Sequence, residues 1–341
     1  MAVDPAAPAR PEGLEPLEPE EFQRVAAEIE AAVGRVVVGQ REAVRGTLIC
    51  LLCGGHALLE GVPGLGKTTM ARALAAALDL EAKRIQFTPD LMPADITGTN
   101  VLVQSAGGAE ARLRFEPGPI FANVVIADEI NRAAPRTQSA LLEAMQERTV
   151  TSANETRRLP DPFFVLATQN PVEMYGTYPL PEAELDRFFL KLQFDYPPAA
   201  ELSAMVERTT SEEAEPAIAA VADAAAVARM RALVRAVPAA EHVIDYASRL
   251  VLALQPGPGA AERVRRFVRL GPSPRGAQAL ALAGRVAALM DGRYSLAVED
   301  VRAVALPALR HRLTLTIDAE RQAVAADEIV AEALESLPRE A

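Results

Sequence analysis

The chain has 341 residues, half of them hydrophobic and 24 % charged, which is the balance of a soluble globular protein long enough for two domains. Its formal net charge of −11 argues against non-specific binding to nucleic acid or anionic lipid, since both need a surplus of Lys and Arg on the docking face. No apolar run reaches the ~18 residues of a membrane helix, and the N-terminus lacks the basic start and apolar stretch of a secretory signal, so a cytoplasmic protein without an integral membrane segment is expected.

Residues 1–20 are rich in Pro, Ala and Glu without periodic apolar positions and predict a disordered tail. From Glu21 to Val33 the positions Phe22, Val25, Ala26, Ile29 and Val33 follow helical spacing. VRGTLICLLCGG then reads as a buried helix stopped at a Gly cap. It holds the only two cysteines, Cys50 and Cys53; with no second pair and greasy flanks, core thiols are expected over a redox or zinc site.

Short apolar runs next alternate with helical stretches. HALLEG, RIQF, NVVIAD, FFVLATQN and FLKLQF are strand-like, with TTMARALAAAL and TQSALLEAMQE as helices. This alternation predicts an α/β core over 21–197 with a mostly parallel sheet covered on both faces. Beyond Tyr196-Pro197-Pro198 strand signals fade, and Ala-rich segments such as AAVARMRALVRAV, HVIDYASRLVLAL, PRGAQALALAGRVAALM and VEDVRAVALPALRHRL predict an all-helical domain over 198–341. The alanine run at 217–229 is expected to pack as helix.

Gly61-Val62-Pro63-Gly64-Leu65-Gly66-Lys67-Thr68 fits G-x-x-x-x-G-K-[ST] between a strand and a helix, the context a P-loop requires. The glycines let successive N–H groups turn inward toward phosphates, helped by the helix N-terminus where Thr69 follows. Lys67 is expected on the β- and γ-phosphates and the Thr68 hydroxyl on Mg²⁺. Val124-Val125-Ile126-Ala127 ends in Asp128-Glu129, 61 residues after Lys67 (128 − 67). Taken alone, such an acidic pair is a solvated strand end or N-cap. Beside a P-loop, Asp128 suits Mg²⁺ through water and Glu129 suits a general base on the attacking water.

VVVGQ, GVPGLGKT, ADEINRA, ATQNP, PLPEAELDRF and PSPRG together resemble the MoxR family of AAA+ ATPases over nearly all of residues 22 to 335. That resemblance implies a P-loop core with a five-stranded parallel sheet, a C-terminal helical lid, ATP/ADP and Mg²⁺ as ligands, and a homo-oligomeric, hexameric ring. It implies further roles by position: Asn170 as sensor 1 near the γ-phosphate, Arg187 as an arginine finger into a neighbouring subunit, Arg275 as sensor 2, and Gly39 and Gln40 on the adenine side. The first three have plainer readings, as a turn-starting Asn-Pro pair, a surface arginine beside a carboxylate, and a first-turn arginine disfavoured by the helix dipole.

Two insertions accompany these motifs. GTNVLVQ and ARLRF flank Ser105-Ala106-Gly107-Gly108, and RTVTS and ETRRL flank Ala153-Asn154, so hairpins are expected at about 98–116 and 148–160. They resemble the insertions shared by MoxR proteins, magnesium-chelatase ATPase subunits and replicative MCM helicases, where such loops face the ring pore or the client. The family implies chaperone-like remodelling or maturation of partner proteins, with a von Willebrand factor A domain protein as partner. A nucleotide-gated scaffold is the first alternative. A nucleic-acid motor is the second, weakened by the charge, the lack of a DNA-reading module and the few aromatics. His56 is expected to be structural, and His242 and His311 to lie on helices; none is expected to be catalytic.

Overall fold

A computed structural model describes residues 15–104, 111–152, 155–170, 176–210 and 217–339. Its strands, in chain order, are β1 (Ala57–Glu60), β2 (Ala82–Gln86), β3 (Gly98–Gln104), β4 (Ala111–Pro117), β5 (Val124–Asp128), β6 (Thr149–Ser152), β7 (Glu155–Arg158), β8 (Phe164–Gln169), β9 (Leu190–Gln193), β10 (Val268–Leu270) and β11 (Thr314–Leu315). The helices of the first half are α1 (Pro19–Gly34), α2 (Arg41–Cys53), α3 (Lys67–Ala77), α4 (Pro93–Thr97), α5 (Pro135–Glu147) and α6 (Glu182–Leu185). Those of the second half are α7 (Ala199–Thr210), α8 (Ala224–Ala236), α9 (Glu241–Ala253), α10 (Glu262–Phe267), α11 (Pro274–Met290), α12 (Val298–Ala303), α13 (Ala305–Leu309), α14 (Ile317–Arg321) and α15 (Ala326–Ser336).

The five apolar runs form one parallel sheet in the order β2-β5-β8-β1-β9. The near-unbroken hydrophobicity of the central β5, β8 and β1 follows from burial on both faces, while the edge strands β2 and β9 alternate with polar residues. Successive residues serve opposite sides: Val124 and Ile126 join one core with α1, α2 and α3, while Val125 and Ala127 join a second with α4 and α5. The first core runs on into the second half of the chain. The Ala-rich α11 packs against α1 and α2 as well as α8, α9, α12 and α13. One face of the sheet and the helical lid therefore share a continuous apolar interior.

Several boundaries differ from the sequence reading. Packing begins before residue 21: Leu17 is buried against the core and Pro19 opens α1, supplying a ready-made helical φ at its first position. Residues 1–14 of the expected tail lie outside the described residues. The alanine run is helical only from Ala224, because Asp223 caps α8 by accepting from the Ala226 amide. Residues 217–223 are non-helical, and the Val221 and Ala222 amides bond instead to the Ala77 carbonyl at the end of α3. The segment 298–313 is two short helices rather than one, and His311 lies in the turn after α13. A two-stranded ribbon, β10 with β11, interrupts the helices of the second half.

β3 pairs antiparallel with β4 over seven residue pairs, and β6 pairs with β7 over four. The two ribbons touch, with the Arg157 guanidinium 4.1 Å from the centre of the Phe115 ring. The Ser105–Gly108 and Ala153-Asn154 turn positions lie outside the described residues. Cys50 is buried in α2, Cys53 is partly buried at its end, both are free thiols, and Gly54 terminates the helix with φ 73°.

His56, at the entrance to β1, is buried; its Nδ1 accepts from the Val165 amide at 3.0 Å and its Nε2 donates to the Met145 carbonyl at 3.1 Å. Burial, reinforced by the nearby Arg148 charge, pushes its pKa down to about 3. His311 is driven down by burial in the same way. An imidazole held neutral in the fold but free to protonate at ~6.5 when unfolded contributes stability that is complete above pH 6.5 and is lost as pH falls toward 3. Unfolding free energy should thus decline from pH 7 to pH 4, and His56→Gln should remove about one proton of that slope, ~1.4 kcal/mol per pH unit. Urea unfolding of both proteins at several pH values measures this, and equal slopes would refute the assignment.

Candidate functional site

The site lies at the carboxyl end of the sheet, around the loop that follows β1. Gly64 and Gly66 take φ of 86° and 87°, and a Cβ on either would meet no atom within 4 Å, so both backbones stand open to the cavity. Gly66 caps α3, whose first turn carries no acidic side chain, leaving its free amides to face the same space. The cavity, of about 380 Å³, is lined by Pro63, Gly64, Gly66, Lys67, Thr68, Thr69, Arg84, Asp128, Glu129, Thr168, Gln169 and Asn170. Asn170 is itself buried. Pro171, its expected turn partner, lies outside the described residues.

Gly61, Val62 and Leu65 from the same loop do not line the cavity. Leu65 and Val62 turn into the core, and at Gly61 a Cβ would lie 2.7 Å from the Phe194 carbonyl oxygen. The Lys67 ammonium donates to the Gly61 and Val62 carbonyls. Desolvation lowers its pKa, opposed by Asp128, Glu129 and Glu60. Gly39, with φ 73°, and Gln40 sit in a separate cavity of about 630 Å³ with Val37, Asp195 and Glu201; the buried Gln40 donates to the Asp195 carbonyl at 2.9 Å. Asp195 follows Phe194, the residue packed against Gly61.

Asp128 is the last residue of the buried strand β5, and both of its carboxylate oxygens are engaged. Oδ1 accepts from the Thr168 hydroxyl at 2.6 Å; Oδ2 accepts from Arg84 Nε at 3.0 Å and Nη2 at 2.6 Å. Glu129 turns sharply out of the strand with φ 57° and ψ 50°, a left-handed conformation costing roughly 1 kcal/mol for a residue with a side chain. Its amide donates to the Thr168 hydroxyl at 2.9 Å, so a single threonine holds both the turn and the Asp128 carboxylate. The Glu129 carboxylate accepts from Gln86 Nε2 and Arg132 Nη1, each at 2.9 Å, while Arg84 also donates to Gln86.

Arg84, Gln86, Arg132 and Thr168 are members of this arrangement that motif reading passed over. Arg84 and Gln86 alternate with the buried Ile85 on β2, so they share a face; Gln86 stands in register with Asp128. That alternation is visible in RIQF, but which strand lies beside β5 is not. A hydroxyl, a carboxylate and a polyphosphate form the hard-oxygen donor set that magnesium takes. The open cradle and the half-buried ammonium suit the phosphates, so the residues present fit a magnesium-bound nucleotide. Among the described residues no group of three or more His, Cys, Asp or Glu side chains forms a further metal site.

Arg187 and Arg275 are not brought into this cavity. They flank Asp186 at the junction of α6 with the lid, with Arg275 Nη1 3.9 Å from Asp186 Oδ2.

Residues 56–190 match the ATPase family associated with various cellular activities (AAA), and residues 260–333 match the AAA lid domain. The chain is 38 % identical to Chaperone MoxR1 of Mycobacterium tuberculosis over 98 % of its own length and 87 % of that protein's. It is 43 % identical to Uncharacterized protein YeaC of Bacillus subtilis, covering 89 % of this chain and 92 % of that one. A crystal structure of a protein from Cytophaga hutchinsonii superposes with a TM-score of 0.87 at 36 % identity, covering 94 % of this chain and 96 % of the other. With a matching fold, a matching ATPase core and lid, and relatives of this similarity along its whole described length, the chain belongs to the MoxR family of AAA+ ATPases.

Proposed function

We propose that this protein hydrolyses ATP at sites shared between subunits of a homo-oligomeric ring and uses the cycle to remodel or mature partner proteins. The observation that carries the reading is a division of labour in the fold. Lys67, Thr68, Asp128, Glu129 and Asn170 surround one cavity, while Arg187 and Arg275 stand apart from it beside Asp186. In this reading the two arginines act at a neighbouring subunit's cavity rather than at their own.

In this reading Lys67 and the first-turn amides of α3 hold the β- and γ-phosphates, and the exposed glycine backbones let them approach. Thr68 and Asp128 would hold magnesium, which when bound neutralises phosphate charge. Glu129 accepts a proton from the attacking water, and Asn170 orients that water toward the γ-phosphorus. Gln86 and Arg132 both donate to Oε2 of the Glu129 carboxylate and so fix its orientation. Thr168 keeps the base and the metal-facing carboxylate at a set separation. Arg187 from the next subunit neutralises charge as the phosphoryl group leaves. Gly39 and Gln40, in the adjoining cavity, provide the adenine side.

The protein-remodelling output is supported by the relative named Chaperone MoxR1. A von Willebrand factor A domain protein is the proposed partner, and a cytoplasmic setting fits the described residues, in which no helix is long and apolar enough to cross a membrane.

The two halves of the site should separate experimentally. Lys67→Ala is expected to abolish nucleotide binding in an equilibrium titration with Mg²⁺. Glu129→Gln should keep binding and lower turnover by ~10²–10⁴, the usual contribution of a general base. Unchanged turnover in Glu129→Gln would remove Glu129 from the chemistry. It should also lose the remodelling output while trapping the client in an ATP-dependent pull-down, whereas a nucleotide-gated scaffold would keep its output.

If the site is completed in trans, turnover per subunit should rise steeply with protein concentration through the assembly transition. Arg187→Ala should then lower turnover in the assembled state by ~10³ or more. Concentration-independent turnover, or full activity of Arg187→Ala, would exclude the shared site.

A further inference from the structure

The most buried guanidinium contact in the lid is made with the segment that carries Arg187. Arg312, in the turn after α13, has a side chain only 3 % exposed. Its Nε donates to Asp186 Oδ1 at 3.0 Å, its Nη1 to the Phe189 carbonyl at 3.1 Å, and its Nη2 to the Phe188 carbonyl at 2.7 Å. Nη1 also reaches the Ala308 carbonyl on α13 itself. The neighbouring His311 adds a bond from Nε2 to the Phe188 carbonyl at 3.0 Å.

The other Asp186 oxygen is claimed by a different part of the lid. Ser273 Oγ donates to Oδ2 at 2.8 Å, and the same Oγ accepts from the Arg275 amide to cap α11. One carboxylate therefore joins the first turn of α11, which carries Arg275, to the Arg312 turn and to the backbone on both sides of Arg187. Attachment of the lid does not require this. α11 already packs on α1 and α2, and α8 on α2, through apolar surface. A buried ion pair adds little stability over an apolar contact of the same size, while its fixed fork geometry specifies orientation.

We infer that Asp186 and Arg312 are a positioning pair that sets Arg187, with Arg275 beside it, at the angle needed to meet a neighbouring subunit's phosphates, so that a lid movement carries both arginines together. The inference rests on the shared-site reading above and adds the element that ties lid orientation to the finger.

Subunit mixing tests it. Asp186→Asn and Arg312→Lys are each expected to bind a fluorescent ATP analogue with Mg²⁺ within about twofold of the parent. Each should turn over at least about tenfold slower with KM unchanged, as a displaced catalytic group does. When either is mixed with excess Lys67→Ala subunits, which lack a working P-loop but hold an intact 186–312 pair, turnover at the variant's own P-loops should recover. A subunit with a damaged fold or P-loop would not recover. Turnover within about twofold of the parent in both variants would overturn the inference. So would loss of analogue binding in both, or low turnover that persists in a mixture where Arg187→Ala recovers. Arg187→Ala alone at parental turnover would instead bring down the shared-site reading itself, and the pair's role with it.

Discussion

The arrangement depends on the parallel register of β2, β5 and β8. Gln86 stands opposite Asp128, and Ala127 opposite Ala167, so the next residues of each strand emerge together at one edge of the sheet. Because β5 and β8 are buried on both faces, a slip by one residue would turn an entire apolar set toward the wrong core, and their register is held by both cores at once. On β5 and β8 the polar groups come where the apolar runs stop, Asp128 and Glu129 at the end of β5 and Thr168 to Asn170 at the end of β8, while Arg84 reaches them from the middle of β2. The polar edge is thus a by-product of the same burial that stabilises the central strands.

At that edge several like charges must be kept compact without a deep core of counter-ions. Asp128 and Glu129 are adjacent, yet the left-handed turn at Glu129 sends their carboxylates to different partners, Arg84 with Thr168 for one and Gln86 with Arg132 for the other. Arg84 and Gln86 also touch each other, closing a polar chain through both acids. The backbone strain at Glu129 is small and is offset by the amide bond to Thr168, itself buried. Such a closed network fixes the spacing of the two carboxylates better than either acid could alone.

Much of this was legible in the sequence, for identifiable reasons. The central strands β1, β5 and β8 were near-continuous apolar runs, β2 and β9 alternated apolar with polar residues, and the P-loop carried its own strand-before and helix-after context. The residues that escaped notice did so because their significance is relational. Gln86 and Arg84 matter only because β2 is the neighbour of β5, a fact set by the crossover topology rather than by local pattern. Thr168 is an ordinary strand threonine until its hydroxyl is seen between Asp128 and the Glu129 amide. At the other extreme, the 217–223 segment misled because alanine is a good helix former whatever its surroundings; the bonds to the end of α3 outweighed that weak preference.

The lid raises the same question from the opposite direction. Its helices were readable from apolar spacing, but their attachment to the core was not, since α11 is nearly as apolar on the faces it turns to α9 and α12 as on those it turns to α1 and α2. What gives the attachment a definite orientation is polar: Ser273 and Arg312 converge on Asp186 and His311 on the adjacent carbonyl, while Arg231 of α8 meets the Leu51 carbonyl and Arg45 of α2 meets Asp291. An apolar interface tolerates small sliding because dispersion is non-directional. A forked guanidinium spanning a carboxylate and two carbonyls does not. The separation of duties is physical: apolar area holds the lid on, and directional guanidinium contacts, Arg312 foremost among them, fix the angle at which it is held.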